Sequence, residues 1–299
     1  MMDALQYEFM QNAFIAAFLA SVACGIIGTY VVVRRMVSIS GGISHGSLGG
    51  VGLAYYFGTN PVLGALGFAV AAALGMGLAI QRTRIPEDTA IGLIWATGMS
   101  LGALFIGLKP GFAPDLAGYL FGNILLVSKP TLIIMAALDA VIVLVTILLY
   151  KEFLAISFDE EFSSAMGLPA GCLYLVLLVL IALTVVVVLR VVGIVLLIAL
   201  LTLPAAMARH YTSSLRRMML LSIPIGVLFT LGGLLISYQV EVAYDLRVPS
   251  GPAIILFAGA IFALSLMVHS LRAKARGKRG VASRVIADPA QKTREDSPG

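Results

Sequence analysis

The feature that most constrains this chain is a series of apolar blocks, most of them about as long as a bilayer is thick and almost free of charge. They run near residues 10–33, 45–58, 61–81, 89–108, 130–150, 171–190, 192–208, 218–236 and 252–271. A hydrocarbon core about 30 Å thick is crossed by roughly 20 helical residues. Lipid offers no water to satisfy an open backbone, so such blocks cross as helices. They predict an all-α, polytopic transmembrane helical bundle of about nine spans, within a range of eight to ten. The block at 45–58 is short for a span and rich in glycine. A further stretch at 116–128, LAGYLFGNILLVS, reads as a surface or re-entrant helix. Composition closes off a soluble alternative. Only 12% of the residues are charged and 60% are hydrophobic, against about 25% charged in a soluble domain.

Charge placement sets the orientation. The formal net charge is +5, but eight of the twenty Lys and Arg residues lie between Arg272 and Arg294, and the others punctuate the apolar blocks. A nucleic-acid surface would gather them into one patch, so no nucleic-acid partner is expected. With the amino terminus outside and nine spans, Arg34, Arg35, Arg82, Arg84, Lys151, Arg209, Arg216, Arg217 and the eight tail residues face the cytoplasm. Only Lys109, Lys129, Arg190 and Arg247 face out, which is 4 against 16. The positive-inside rule therefore predicts N-out/C-in. The first 33 residues carry no Lys or Arg, so the first block reads as a retained span rather than a signal peptide. Residues 1–271 form the transmembrane domain. Residues 272–299 read as a basic, disordered cytoplasmic tail that can meet anionic headgroups.

Three polar features interrupt the apolar text. The first is residues 38–52, SISGGISHGSLGGVG. Gly42 with Gly46, and Gly46 with Gly50, have the spacing of a close helix-packing face. Glycine at depth also permits irregular backbone beside a wet cavity. His45 sits in this segment among Ser38, Ser40, Ser44 and Ser47, and an imidazole there is either a satisfied packing residue or a functional group. Its candidate role is a transit ligand for a metal, with Ser44 beside it and Gly41, Gly42, Gly46, Gly49 and Gly50 along a pathway or packing face. The second is Asp139, mid-way through 130–150, either a hydrogen-bonded interface carboxyl or an intramembrane polar site. The third is the loop 151–170, where Asp159, Glu160 and Glu161 precede Gly167 and Pro169. It reads as a short helix stopped by glycine and proline, a cytoplasmic docking element or a solvated turn. No G-x-x-x-x-G-K-[ST] or H-E-x-x-H string occurs, so the chain is not expected to be an enzyme or to bind ATP in the P-loop manner.

Five strings in order carry a resemblance: ISHGSLGGVGLAYYFG, AIGLIWATGMSLGALFIG, YLFGNILLVS, ISFDEEFSSAMGLP and VVGIVLLIALLTLPAAMAR. Over most of residues 10–271 the chain resembles the zinc/manganese/iron ABC-importer permease family. That resemblance implies a homodimeric channel in a bacterial or archaeal cytoplasmic membrane, moving a divalent metal ion as cargo, with no tightly bound cofactor. It implies two cytoplasmic ATPase subunits docked on Asp159, Glu160, Glu161 and Gly167, and an extracytoplasmic metal-binding protein. The family's Gly-Asp-Ala-x-Ser-His pattern is matched at Ser44 and His45, while Gly41 stands in place of the aspartate. Two alternatives are a permease for a metal chelate, such as a siderophore or corrinoid, and a proton-coupled secondary transporter relaying through Asp139.

Overall fold

The computed structural model describes residues 7–83, 85–109, 122, 124–245 and 248–287. Among them every regular element is helical: α1 (Glu8–Val33), α2 (Val37–Phe57), α3 (Pro61–Arg82), α4 (Glu87–Leu108), a 3-10 turn (Ile124–Leu126), α5 (Lys129–Leu148), α6 (Tyr150–Phe158), α7 (Glu160–Ala165), α8 (Ala170–Arg209), α9 (Leu215–Tyr244) and α10 (Ser250–Ala287). Local chemistry sets the boundaries. The Asn60 side chain accepts a hydrogen bond from the Val62 amide at 2.9 Å, and Pro61 follows it, so α3 starts with a cap and a residue that needs no donor. Inside α8, Gly193 adopts φ 81 and ψ 167 and breaks the helical geometry. The break divides it into the apolar stretches Ala170–Leu189 and Val191–Arg209, where the sequence separates blocks 171–190 and 192–208.

Side-chain contacts sort the helix ends into two groups. At one end, Arg34 in the α1–α2 turn reaches Ile156 and Glu160, Gln81 donates to the Gly171 carbonyl at 2.9 Å, and Val32 and Val33 pack on Ala205, Ala208 and Met218. At the other end, Glu8 pairs with Lys129 at 2.8 Å, Asn12 donates to the Val127 carbonyl at 3.3 Å, and Lys109 donates to the Tyr55 carbonyl. Across α1 and α9, Thr29 meets Ser222 and Ser21 meets Thr230, so those two helices run antiparallel. The chain thus passes repeatedly between the same two ends. The spans at the centre are α1 and the two stretches of α8, at 67%, 72% and 61% buried, against 22% for α4 and 28% for α5. The central helices are apolar on all sides because they touch protein all round; the outer ones are apolar on their far side because that side meets lipid.

Eight helices among the described residues are long and apolar enough to cross a membrane, and α2 is not one of them. The short block at 45–58 extends back instead: α2 is one helix of 21 residues from Val37, about 32 Å at 1.5 Å per residue. Its serines and glycines lower its hydropathy, yet most of them are buried against protein, so α2 does not need the apolarity that lipid demands. Of the stretch at 116–128, residues 116–121 and 123 lie outside the described residues, and Ile124–Leu126 form a single 3-10 turn. The chain divides into one compact unit that ends at Ala258 and a second that begins at Gly259. In the second unit the backbone is helical to Ala287, through the first part of the tail expected at 272–299; residues 288–299 lie outside the described residues.

Candidate functional site

The α2 glycines bring backbones together. A Cβ at Gly49 would come 2.8 Å from the Gly98 carbonyl of α4, one at Gly42 would come 2.8 Å from Ile91 Cγ2, and one at Gly50 would overlap the Gly64 carbonyl of α3. Gly46 packs on Ile94 of α4. Gly41 differs, since the nearest atom to its Cβ position is Ile198 Cδ1 at 3.9 Å, an ordinary contact with room for a side chain. The serine hydroxyls turn onto their own helix. Ser44 donates to the Ser40 carbonyl at 2.6 Å and Ser47 to the Ser44 carbonyl at 2.7 Å. They are satisfied locally rather than by the imidazole.

His45 lies at the α2–α4 seam. Its ring stacks on Trp95 of α4, with centroids 4.5 Å apart and planes 8° from parallel, and its Nδ1 is buried with no hydrogen-bond partner. Trp95 is 44% exposed and donates its indole N–H to the Met99 sulfur at 3.0 Å. Imidazole and indole therefore form a layer at the rim of the helical bundle, on the exposed side of α4. Among the described residues no group of three or more His, Cys, Asp or Glu side chains could hold a metal. The seam itself offers a single imidazole, fewer ligands than a resident metal site uses.

Asp139 occupies a different seam. Leu132, Met135, Asp139, Ile142 and Thr146 are the buried residues of α5, spaced as one helical stripe, and α5 packs on α1. Among the described residues both carboxylate oxygens are buried without a hydrogen-bond partner, as are the Thr146 hydroxyl and the Tyr30 hydroxyl on α1. Of the hydroxyls on the same helix, Thr131 lies within hydrogen-bond distance of Ser128 and Thr146 is itself unpaired among the described residues.

The acidic loop folds into α6 and α7 with each acid used differently. Asp159 Oδ1 accepts from the Phe162 amide at 2.8 Å and caps α7. Glu160 is held by Arg34, whose other guanidinium nitrogen donates to the Ile156 carbonyl at 3.1 Å and whose head lies 5.4 Å from the Tyr174 ring centroid. Glu161 is exposed. Gly167 ends the element at φ +86 with open space around it, a left-handed position that favours glycine. Sequence reasoning missed what stands beside these acids. Phe158, Phe162 and Met166 are 74%, 63% and 70% exposed, three large apolar side chains at four-residue spacing in a polar loop. Their four-residue spacing is legible in the sequence, while their exposure is set by the fold.

With these positions known, the similarity to other proteins can be placed. The family model described as ABC 3 transport family matches residues 6–269. The chain belongs to this family. It is a multi-pass permease of the metal ABC-importer type, in the bacterial cytoplasmic membrane. It is 46% identical over 266 residues to the uncharacterized membrane protein slr2045 of Synechocystis sp., covering 89% of this chain and 92% of that one. It is 35% identical over 263 residues to the manganese transport system membrane protein MntC of Listeria monocytogenes, covering 88% and 91%. Its fold matches a chain of PsaBC from Streptococcus pneumoniae, solved in complex with a Fab, with a TM-score of 0.77 at 33% identity over 88% of this chain and 93% of that one. The family match spans the His45 seam, the Asp139 stripe and the α6–α7 loop alike.

Proposed function

We propose that the chain moves a divalent transition metal ion, Zn, Mn or Fe, into the cytoplasm, powered by separate cytoplasmic ATPase subunits docked on α6 and α7. The observation that carries this reading is the Arg34 junction. One part-buried guanidinium ties the exposed Phe158–Phe162–Met166 face, through Glu160 and the Ile156 carbonyl, to the turn that begins α2, the helix of His45. Three exposed apolar side chains beside Glu161 suit a protein groove with a basic rim. ATP binding and hydrolysis in the partner shift α6 and α7, Arg34 passes the shift to the α1–α2 turn, and α2 moves against α3 and α4. The ion passes His45 as cargo. Manganese is the ion named for the Listeria relative, and a neutral imidazole serves Zn and Fe as well. An extracytoplasmic metal-binding protein delivers it, and a second copy of this chain supplies the facing imidazole.

Nine crossings with the amino terminus outside follow if α2 spans as a helix buried in protein. The end carrying Arg34, Arg35, Arg82, Lys151 and Arg209 then faces the cytoplasm, where the basic residues after Leu271 meet anionic headgroups. Cysteines placed at 82–88 and 209–217 are expected to resist impermeant thiol reagents added outside cells, and one at 245–250 to react. The reverse labelling contradicts the orientation.

The complex, reconstituted with its ATPase and binding protein, tests the function. ATP hydrolysis should rise with Zn, Mn or Fe and stay flat with Mg. Equal stimulation by a siderophore or corrinoid, with none by free metal, would transfer the reading to a chelate permease. A second reading is favoured by one observation, the buried and unpaired carboxyl of Asp139: a secondary transporter that relays protons there. It requires metal uptake without the ATPase.

A further inference from the structure

The feature left over is the lid on His45. Trp95 is the only tryptophan in the chain, and it sits on the most exposed of the helices that touch α2. A tryptophan at a membrane protein's rim usually turns its N–H to headgroups or water. This one gives its N–H to Met99 Sδ, one turn along the same helix, at 3.0 Å. Sulfur is a weak acceptor, but the bond fixes the indole plane. That plane lies 8° from the plane of His45 at a centroid distance of 4.5 Å, so the imidazole is held by one face. With Gly46 and Gly42 on its own helix packed tightly against α4, the backbone under His45 has little freedom, and the stack removes what the side chain keeps. The Nδ1 edge is buried and unpaired among the described residues, so no hydrogen bond at that nitrogen does this orienting.

Resting on the reading of His45 as a transit ligand, we infer that Trp95, anchored by Met99, is the positioning residue that presents the His45 imidazole to the passing metal ion. Holding one ring in one plane lowers the ordering cost when the ion arrives. It also explains how a site with a single imidazole per protomer, and glycine at position 41, works without a neighbouring carboxylate to aim it. Met99 acts on Trp95, and Trp95 acts on His45; neither needs to touch the ion.

The sole tryptophan makes this directly measurable. The purified full chain in lipid nanodiscs is titrated with Mn or Co, with Mg as control, while tryptophan emission is recorded. A paramagnetic or absorbing ion bound at His45 lies against the indole and quenches it. Saturable quenching by Mn and Co, absent with Mg and abolished in His45→Ala, is the expected result. In cells, Trp95→Phe keeps an aromatic face but loses the N–H that Met99 holds, so its transport should fall between wild type and Trp95→Ala. Trp95→Ala at matched membrane levels should raise KM by about two- to tenfold, the range an aromatic stack is worth, with kcat little changed. Met99→Leu removes the same bond and should likewise fall between wild type and Trp95→Ala. Trp95→Ala with an unchanged KM, or quenching that survives His45→Ala, overturns the positioning role. If uptake is also normal in His45→Ala, the transit-ligand reading falls with it; if His45→Ala abolishes uptake, that reading stands and only the role of Trp95 is lost.

Discussion

His45 and Asp139 look alike in the sequence, each a lone ionisable residue inside apolar text, and the fold treats them in opposite ways. His45 stands on a seam of touching backbones, where α2 and α4 approach through Gly49 and Gly98, and its ring is covered by the half-exposed Trp95. Asp139 stands on a seam of side chains, 4% exposed, in a stripe with Met135 and Ile142 and with no donor for either oxygen. A group at the rim, beside a half-exposed ring, lies close to the protein surface. A group enclosed by aliphatic side chains is reachable only if helices part. Depth in a hydropathy plot does not separate the two; what covers each residue does.

The largest expected effect tests whether backbone contact defines the His45 seam. Gly50→Val places atoms on the Gly64 carbonyl of α3, and overpacking of this kind costs about 1–3 kcal/mol or more. Folded protein recovered from the membrane should fall sharply and its melting temperature drop, while Gly67→Ala, with nothing within 4 Å of its Cβ position, should change neither. Equal behaviour of the two variants would mean that the seam is loose.

A smaller effect is expected at the junction between that seam and the cytoplasmic loop. Arg34→Ala and Glu160→Lys both dissolve the pair that joins α7 to the α1–α2 turn, so metal-stimulated ATPase activity should uncouple from uptake. Glu161→Lys leaves the pair intact and should weaken only ATPase binding, in a salt-dependent way. If Glu160→Lys and Glu161→Lys behave identically in pull-down and in uptake, Arg34 transmits nothing and the loop is a docking surface alone.

Much of this architecture can be read from the chain before folding it. The apolar blocks mark the spans, including the division of α8 near Gly193, because lipid imposes a length and a composition on anything that faces it. The α6–α7 loop announces itself by Asp159, Gly167 and Pro169, whose effects are local. What escapes is set by contacts between distant residues. Full-length α2 is hidden because hydropathy measures fitness for lipid, and Ser40, Ser44 and Gly49 face protein. Trp95 is fifty positions from His45 and Glu160 is 126 from Arg34, and no pattern in either neighbourhood names the partner. The unpaired state of Asp139 is likewise a property of α1 and α5 together, so a reading of residues 130–150 supplies it with partners that the fold does not.

The account stands most directly on a paired uptake measurement of His45→Ala and Asp139→Asn at matched membrane levels, with Mn, Zn and Fe each offered alone. Asp139→Asn keeps the shape of the side chain within its stripe, so it should retain most of the wild-type uptake. His45→Ala should lose most uptake for every ion the wild type carries, and His45→Asn should not restore it. Wild-type uptake in His45→Ala together with loss in Asp139→Asn would contradict the account and place the pathway along α1 and α5.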